Sequence, residues 1–176
     1  FGKGWGLPRG MGIALYGPPK GGKSLLIADF AGALHQSDPD AVVVKIDTEF
    51  RDEAQFPEPM LRAWGIDPNR YICRQTNSSA EVFDWIADEK DGLYGMIKEG
   101  LPIKLVVIDS ISSICGRRME QAESSAVMQR GDDALTIQNG LKWITKAQKQ
   151  GKFGLIATVQ IRAEQDEREQ MRGIKV

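Results

Sequence analysis

Eight residues near the start of the chain, Gly17-Pro18-Pro19-Lys20-Gly21-Gly22-Lys23-Ser24, fit the pattern GxxxxGK[ST] in full. A short apolar run, Gly12–Tyr16 (GIALY), precedes them, and Ser24–His35 follows with apolar residues at helical spacing and no proline. Strand, glycine-rich bend and helix in that order form an anion cradle. The glycines let backbone N–H groups turn inward around a phosphate, and the helix adds the positive end of its dipole. Lys23 supplies a cation for the β- and γ-phosphates, and the Ser24 hydroxyl is placed to reach Mg2+. Gly17 through Ser24, with Leu25 next in line, are therefore the candidate nucleotide contacts, and ATP with Mg2+ is the expected ligand.

This bend belongs to a chain whose other apolar runs repeat the same grammar. Ala41–Ile46 (AVVVKI) is β-branched and runs into Asp47-Thr48-Glu49, Tyr71–Arg74 reads as a third strand, Leu105–Ile108 as a fourth ending at Asp109, and Phe153–Val159 as a fifth reaching Gln160. Helices are predicted at Ser24–His35, Pro59–Trp64, Ser79–Lys98 with a break at Gly92, and Asp133–Lys149, where Leu135, Ile137, Leu141, Ile144 and Ala147 are spaced to share one face. Continuous apolar strands alternating with helices predict an α/β fold, a mostly parallel sheet covered on both faces. Ligands of such sheets bind beyond the strand C-termini, which directs attention to the phosphate bend, Asp47–Glu49, Asp109–Ser110 and Gln160. Asp109 closes an apolar strand as a Walker B aspartate does and is the second candidate metal ligand, with Ser24. Glu49 could take a proton from a water attacking the γ-phosphate; equally, it or Asp47 could cap the following segment.

Taken together and in order, GPPKGGKS, KIDTEF, LVVIDSISSI and ATVQIR resemble the nucleotide-binding core of the RecA recombinase family across Gly12–Arg162. PDAVVVKIDTEF followed by LRAWGIDPNRY is similar to the phage UvsX-type recombinases within it. The resemblance implies a RecA-like P-loop NTPase core over residues 12–160, and a Mg-dependent ATPase whose hydrolysis is coupled to single-stranded DNA in recombination and repair. It implies self-association into a filament or ring, with ATP at each subunit junction. By the same resemblance Glu49 activates water, Gln160 senses the γ-phosphate and Ser110 helps organise the metal and water, so that Glu49, Lys23 and Gln160 form the catalytic set. Two DNA-binding loops would fall at about Gly116–Asp132 and after Gln160, bringing in Arg117, Arg118, Arg130 and Arg162. The segment FRDEAQFPEP is longer than in bacterial RecA, which leaves the adenine-stacking residue open between Phe50 and Phe56. Pro18, Pro19 and Lys20 are unusual within the phosphate bend.

Composition narrows the remaining possibilities. The 176 residues suit one domain, and a net charge of −1 gives no general attraction for nucleic acid, so any DNA site must be local. The arginines of both proposed loops are diluted by Glu and Asp, and no aromatic residue stands among them to stack on bases. Two cysteines, Cys73 and Cys115, and one histidine, His35, argue against a zinc cluster or disulfide scaffold and suit a reducing, cytoplasmic setting, that of the host if the source is viral. No apolar run approaches the ~20 residues of a membrane span. His35 is expected to serve as a cation at a helix C-terminus, the cysteines as small buried fillers, and Trp64, Trp85 and Trp143 as core residues. Residues 1–11 read as a linker or sheet-edge segment and 161–176 as the start of a mobile loop, in a chain that starts at Phe1 and is expected to be an excerpt. A RecA-fold hexameric helicase motor is the nearest alternative. A P-loop small-molecule kinase is a further one, but no arginine-rich lid or acceptor pocket is evident.

Overall fold

A computed structural model describes residues 10–52, 56–115 and 130–160. Five strands, β1 (Gly12–Gly17), β2 (Val42–Asp47), β3 (Tyr71–Gln75), β4 (Ile103–Asp109) and β5 (Gly154–Gln160), form one sheet in the order β1-β5-β4-β2-β3. Every pairing is parallel. The course of the chain across the sheet reverses between β2 and β4: β2 leads outward to β3, whereas β4 leads to β5 on the other side. Ligand crevices of open parallel sheets lie at such reversals.

Helices α1 (Lys23–Ser37) and α2 (Glu58–Ala63) belong to one face, and α3 (Ser79–Ala87), α4 (Leu93–Lys98) and α5 (Arg130–Gly151) to the other. The alternation of side chains along each strand sorts the core accordingly. Val43, Leu105, Val107 and Ile156 meet Ile27, Ala28, Ala31 and Leu61. Val44, Ile46, Val106 and Ile108 meet Val82, Phe83, Ile86 and Ile144. Each buried Ile or Val among them contributes about 1.5–3 kcal/mol of hydrophobic stabilisation. Among the described residues no helix is long and apolar enough to cross a membrane.

All five expected strands are present, while several helical expectations require correction. The break expected within Ser79–Lys98 is present and gives two helices, the second capped by Gly92. Asp88 ends the first, its carboxylate accepting from the backbone N–H groups of Lys90 and Asp91 at 2.7 and 2.8 Å. These bonds hold the carboxyl below its ordinary value and turn the chain ahead of Gly92, which caps the next helix.

Leu135 does not join the inner face of α5; it is 55% exposed, and Trp143 is 62% exposed with the Lys146 ammonium over its ring. The inner face instead uses glycine, since a Cβ on Gly140 would overlap the Phe83 ring. Trp64 and Trp85 do pack against the two cores, Trp85 also lying under the Arg74 guanidinium.

His35 is not a helix-end cation. Its Nδ1 accepts the Asp67 backbone N–H at 3.0 Å, which requires that nitrogen to be unprotonated. Burial, with the nearby Arg70 charge, moves its pKa below the ordinary histidine value. Cys73 and Cys115 are half-buried and not joined in a disulfide, and burial followed by the Asp52 charge pushes the Cys73 thiol well up, away from nucleophilic chemistry.

Candidate functional site

The phosphate bend hangs between β1 and α1. Gly22 caps α1 with φ 82°, a left-handed conformation that glycine adopts without steric cost, and Lys20 shares that region at φ 61°. Inside the bend the Gly21 N–H donates to the Pro18 carbonyl at 3.2 Å. Lys23 Nζ donates to the carbonyls of Gly17 and Pro18 at 3.0 and 2.8 Å, which sets its ammonium at the rim of the bend.

β5 lies between β1 and β4, so the phosphate bend, Gln160 and Asp109 stand side by side at one sheet margin. Gly17 is in register with Gln160 on β5, and Asp109 with Asp47 on β2. Ser24 Oγ donates to Asp109 Oδ2 at 2.9 Å, and Thr158 Oγ1 donates to Asp109 Oδ1 at 2.6 Å. The two candidate metal ligands are thus adjacent. One hydroxyl and one carboxylate are hard oxygen donors that suit Mg2+ shared with phosphates, and among the described residues no cluster of three or more His, Cys, Asp or Glu side chains is arranged to hold a metal by itself.

The sequence left open which acidic residue after β2 caps the next segment, and the geometry separates them. Asp47 does the capping: its carboxylate accepts the backbone N–H groups of Glu49, Arg51 and Asp52 at 3.1, 2.6 and 2.7 Å. Glu49 is thereby turned toward β4 and β5. Its Oε1 accepts from Ser110 Oγ at 3.0 Å and from the side-chain amide of Gln160, with Ser113 Oγ at 3.5 Å. Thr48 locks the same junction, donating from Oγ1 to the Ser110 carbonyl at 2.6 Å and accepting the Ser110 N–H at 2.7 Å. The Asp109–Ser110 peptide bond is cis.

A cavity of about 290 Å³ opens over these groups, walled by Pro19 through Leu25 on one side and by Asp47, Glu49, Arg51, Phe56, Asp109 and Gln160 on the others. Of the two candidate stacking residues, Phe56 lines this cavity but is 5% exposed, its ring beneath the Lys45 ammonium; Phe50 is 54% exposed and is not among the lining residues. Arg130 opens α5, whereas Arg117, Arg118 and Arg162 lie outside the described residues.

Lys45 is a site residue that the motifs did not mark. It is 1% exposed, with Nζ 2.6 Å from Asp52 Oδ1 and 3.3 Å from Asp109 Oδ2. Burial opposes its charge, yet Asp109 and Asp52 more than offset that and hold the ammonium above its ordinary value. Tyr71 Oη also donates to Asp52, at 3.2 Å, so an ionic network runs from the candidate metal site under the cavity to β3. A lysine inside the otherwise apolar AVVVKI strand was the available signal. Thr158, Ser113 and Arg51 carried no sequence signal of comparable strength. No protein-family model matches the chain, and no curated protein sequence matches it.

Proposed function

We propose that the chain is the Mg-dependent ATPase core of a RecA-like recombinase, which binds single-stranded DNA as a filament with ATP at subunit junctions and promotes strand exchange. The observation that carries this reading is the hydrogen-bonded set Glu49–Ser110–Gln160 facing the Lys23 bend across one cavity. A plain nucleotide binder has no need of a carboxylate so placed, and the four blocks of resemblance assign these same positions to hydrolysis and its coupling.

Lys23 and the backbone N–H groups of the bend would take the β- and γ-phosphates, with Ser24 and Asp109 holding the metal, which supplies charge neutralisation on the phosphates. Glu49 accepts the proton of the attacking water at its carboxylate. Gln160 donates to Glu49 from the last residue of β5, so any change in that hydrogen bond is passed directly to the segment that follows, where the resemblance puts a DNA-binding loop. The Lys45 ammonium bridges Asp52 and Asp109 and holds the Asp109 carboxylate in place beside Ser24.

The test is the ATPase rate of the full-length protein with and without single-stranded DNA. Stimulation by DNA, with strand exchange and without duplex unwinding, is the expected result. Hydrolysis indifferent to DNA would overturn the reading, and unwinding would transfer it to a helicase motor.

A further inference from the structure

Arg51 lines the nucleotide cavity, yet neither the phosphate-binding motif nor the resemblance gives it a task. Its Nη1 lies 3.1 Å from Glu49 Oε2; the Arg51 side chain is 62% exposed and that of Glu49 14%. An ion pair with one solvated partner is worth about 0–1 kcal/mol, so it exchanges readily for a stronger anion. Glu49 does not depend on it for position, because Ser110 and Gln160 hold the other carboxylate oxygen. The backbone of Arg51 is pinned through its N–H to Asp47 Oδ2, so the guanidinium can change partner without the chain moving.

Charge on the cavity walls gives the exchange a direction. Lys20 and Lys23 stand on the phosphate bend, while the wall opposite carries the carboxylates of Asp47, Glu49 and Asp109. Among the described lining residues Arg51 is the cation on that second wall. A terminal phosphate brought toward Glu49 meets like charge unless a cation stands between them, and a guanidinium binds phosphate oxygens in bidentate fashion. We propose that Arg51 is a specificity-determining residue, exchanging its ion pair with Glu49 for the terminal phosphate of a nucleoside triphosphate. A diphosphate ends one phosphate short of it and gains nothing from the exchange. The proposal rests on the nucleotide-hydrolysing reading of this cavity.

Equilibrium titration of the full-length protein with fluorescent analogues of ATPγS and of ADP, in Mg2+ and without DNA, tests it. Arg51→Ala should lose about tenfold in affinity for the triphosphate, equivalent to about 1.4 kcal/mol, and stay within about twofold of wild type for the diphosphate; Arg51→Lys should fall between. Retained ADP binding also reports that the variant is folded. Equal loss for both nucleotides, or no loss for either, would overturn the assignment while leaving the cavity reading intact. Wild-type protein that binds neither nucleotide would sink both together.

Discussion

Glu49 keeps its carboxylate between a serine hydroxyl, the Gln160 amide and the Arg51 guanidinium, and the proton-accepting role proposed for it needs a carboxylate there. Glu49→Gln preserves shape and can still accept from Gln160, so nucleotide affinity should change little. Hydrolysis should slow by about 10²- to 10⁴-fold, the usual worth of a positioned general base. Single-turnover rates beside binding titrations check this, and a near-normal rate would show that another group takes the proton. Lys45 makes a different demand. Lys45→Met leaves Asp52 and Asp109 without their buried cation, a loss of about 3–5 kcal/mol when one partner of a buried pair is removed. Urea denaturation should register it, and adding Asp52→Leu should recover a substantial part. Both residues were readable from sequence to different depths. Glu49 could be named because it closes a strand in a recognisable block, but its orientation depended on Asp47 taking the three backbone N–H groups, which no spacing rule reveals. Lys45 was visible as a charge in an apolar strand, while its partners come from β4 and the segment after β2.

At the scale of elements, α5 shows where periodicity misleads. Its apolar residues were assigned to one stripe, but the stripe that faces α3 includes Gly140 and excludes Leu135. A hydrophobic pattern cannot credit glycine with a core position, since glycine there contributes room for Phe83 rather than apolar area. Gly140→Ala sets two effects in opposition. Helix propensity favours alanine by about 1 kcal/mol, whereas the Cβ overlaps the Phe83 ring, and overpacking of this kind costs about 1–3 kcal/mol. The steric term should win, lowering the urea midpoint. In a Phe83→Leu background the same substitution should become neutral or stabilising, and a double-mutant cycle measures the coupling. Strands were easier to read because each is a contiguous apolar run bounded by polar residues. Helix ends were harder: the stop at Asp88 is made by a side chain accepting from its own following turn, a local competition that hydrophobic spacing does not register.

For the molecule as a whole, the alternation of strands and helices made the parallel sheet legible, but the strand order was not, because β1 pairs with β5 across most of the sequence. That long-range pairing helps build the cavity, bringing Ser24 at the start of α1 to the same margin as Glu49, Asp109 and Gln160 at the ends of β2, β4 and β5. A nucleotide spanning them would hold the native sheet together and have no counterpart in the unfolded chain. At a concentration 100 times its dissociation constant, such a ligand stabilises by about 2.7 kcal/mol. A domain of this size gains about 2–4 °C per kcal/mol, so Mg2+ with a non-hydrolysable ATP analogue should raise Tm by about 5–10 °C. Lys23→Ala should lose most of that rise with little change in the Tm measured without nucleotide, since of the two bonds Lys23 gives up one is exposed and the other only partly buried. Omitting Mg2+ should reduce the rise in wild type. An equal shift in wild type and Lys23→Ala would mean that nucleotide stabilises the fold from somewhere other than this cavity.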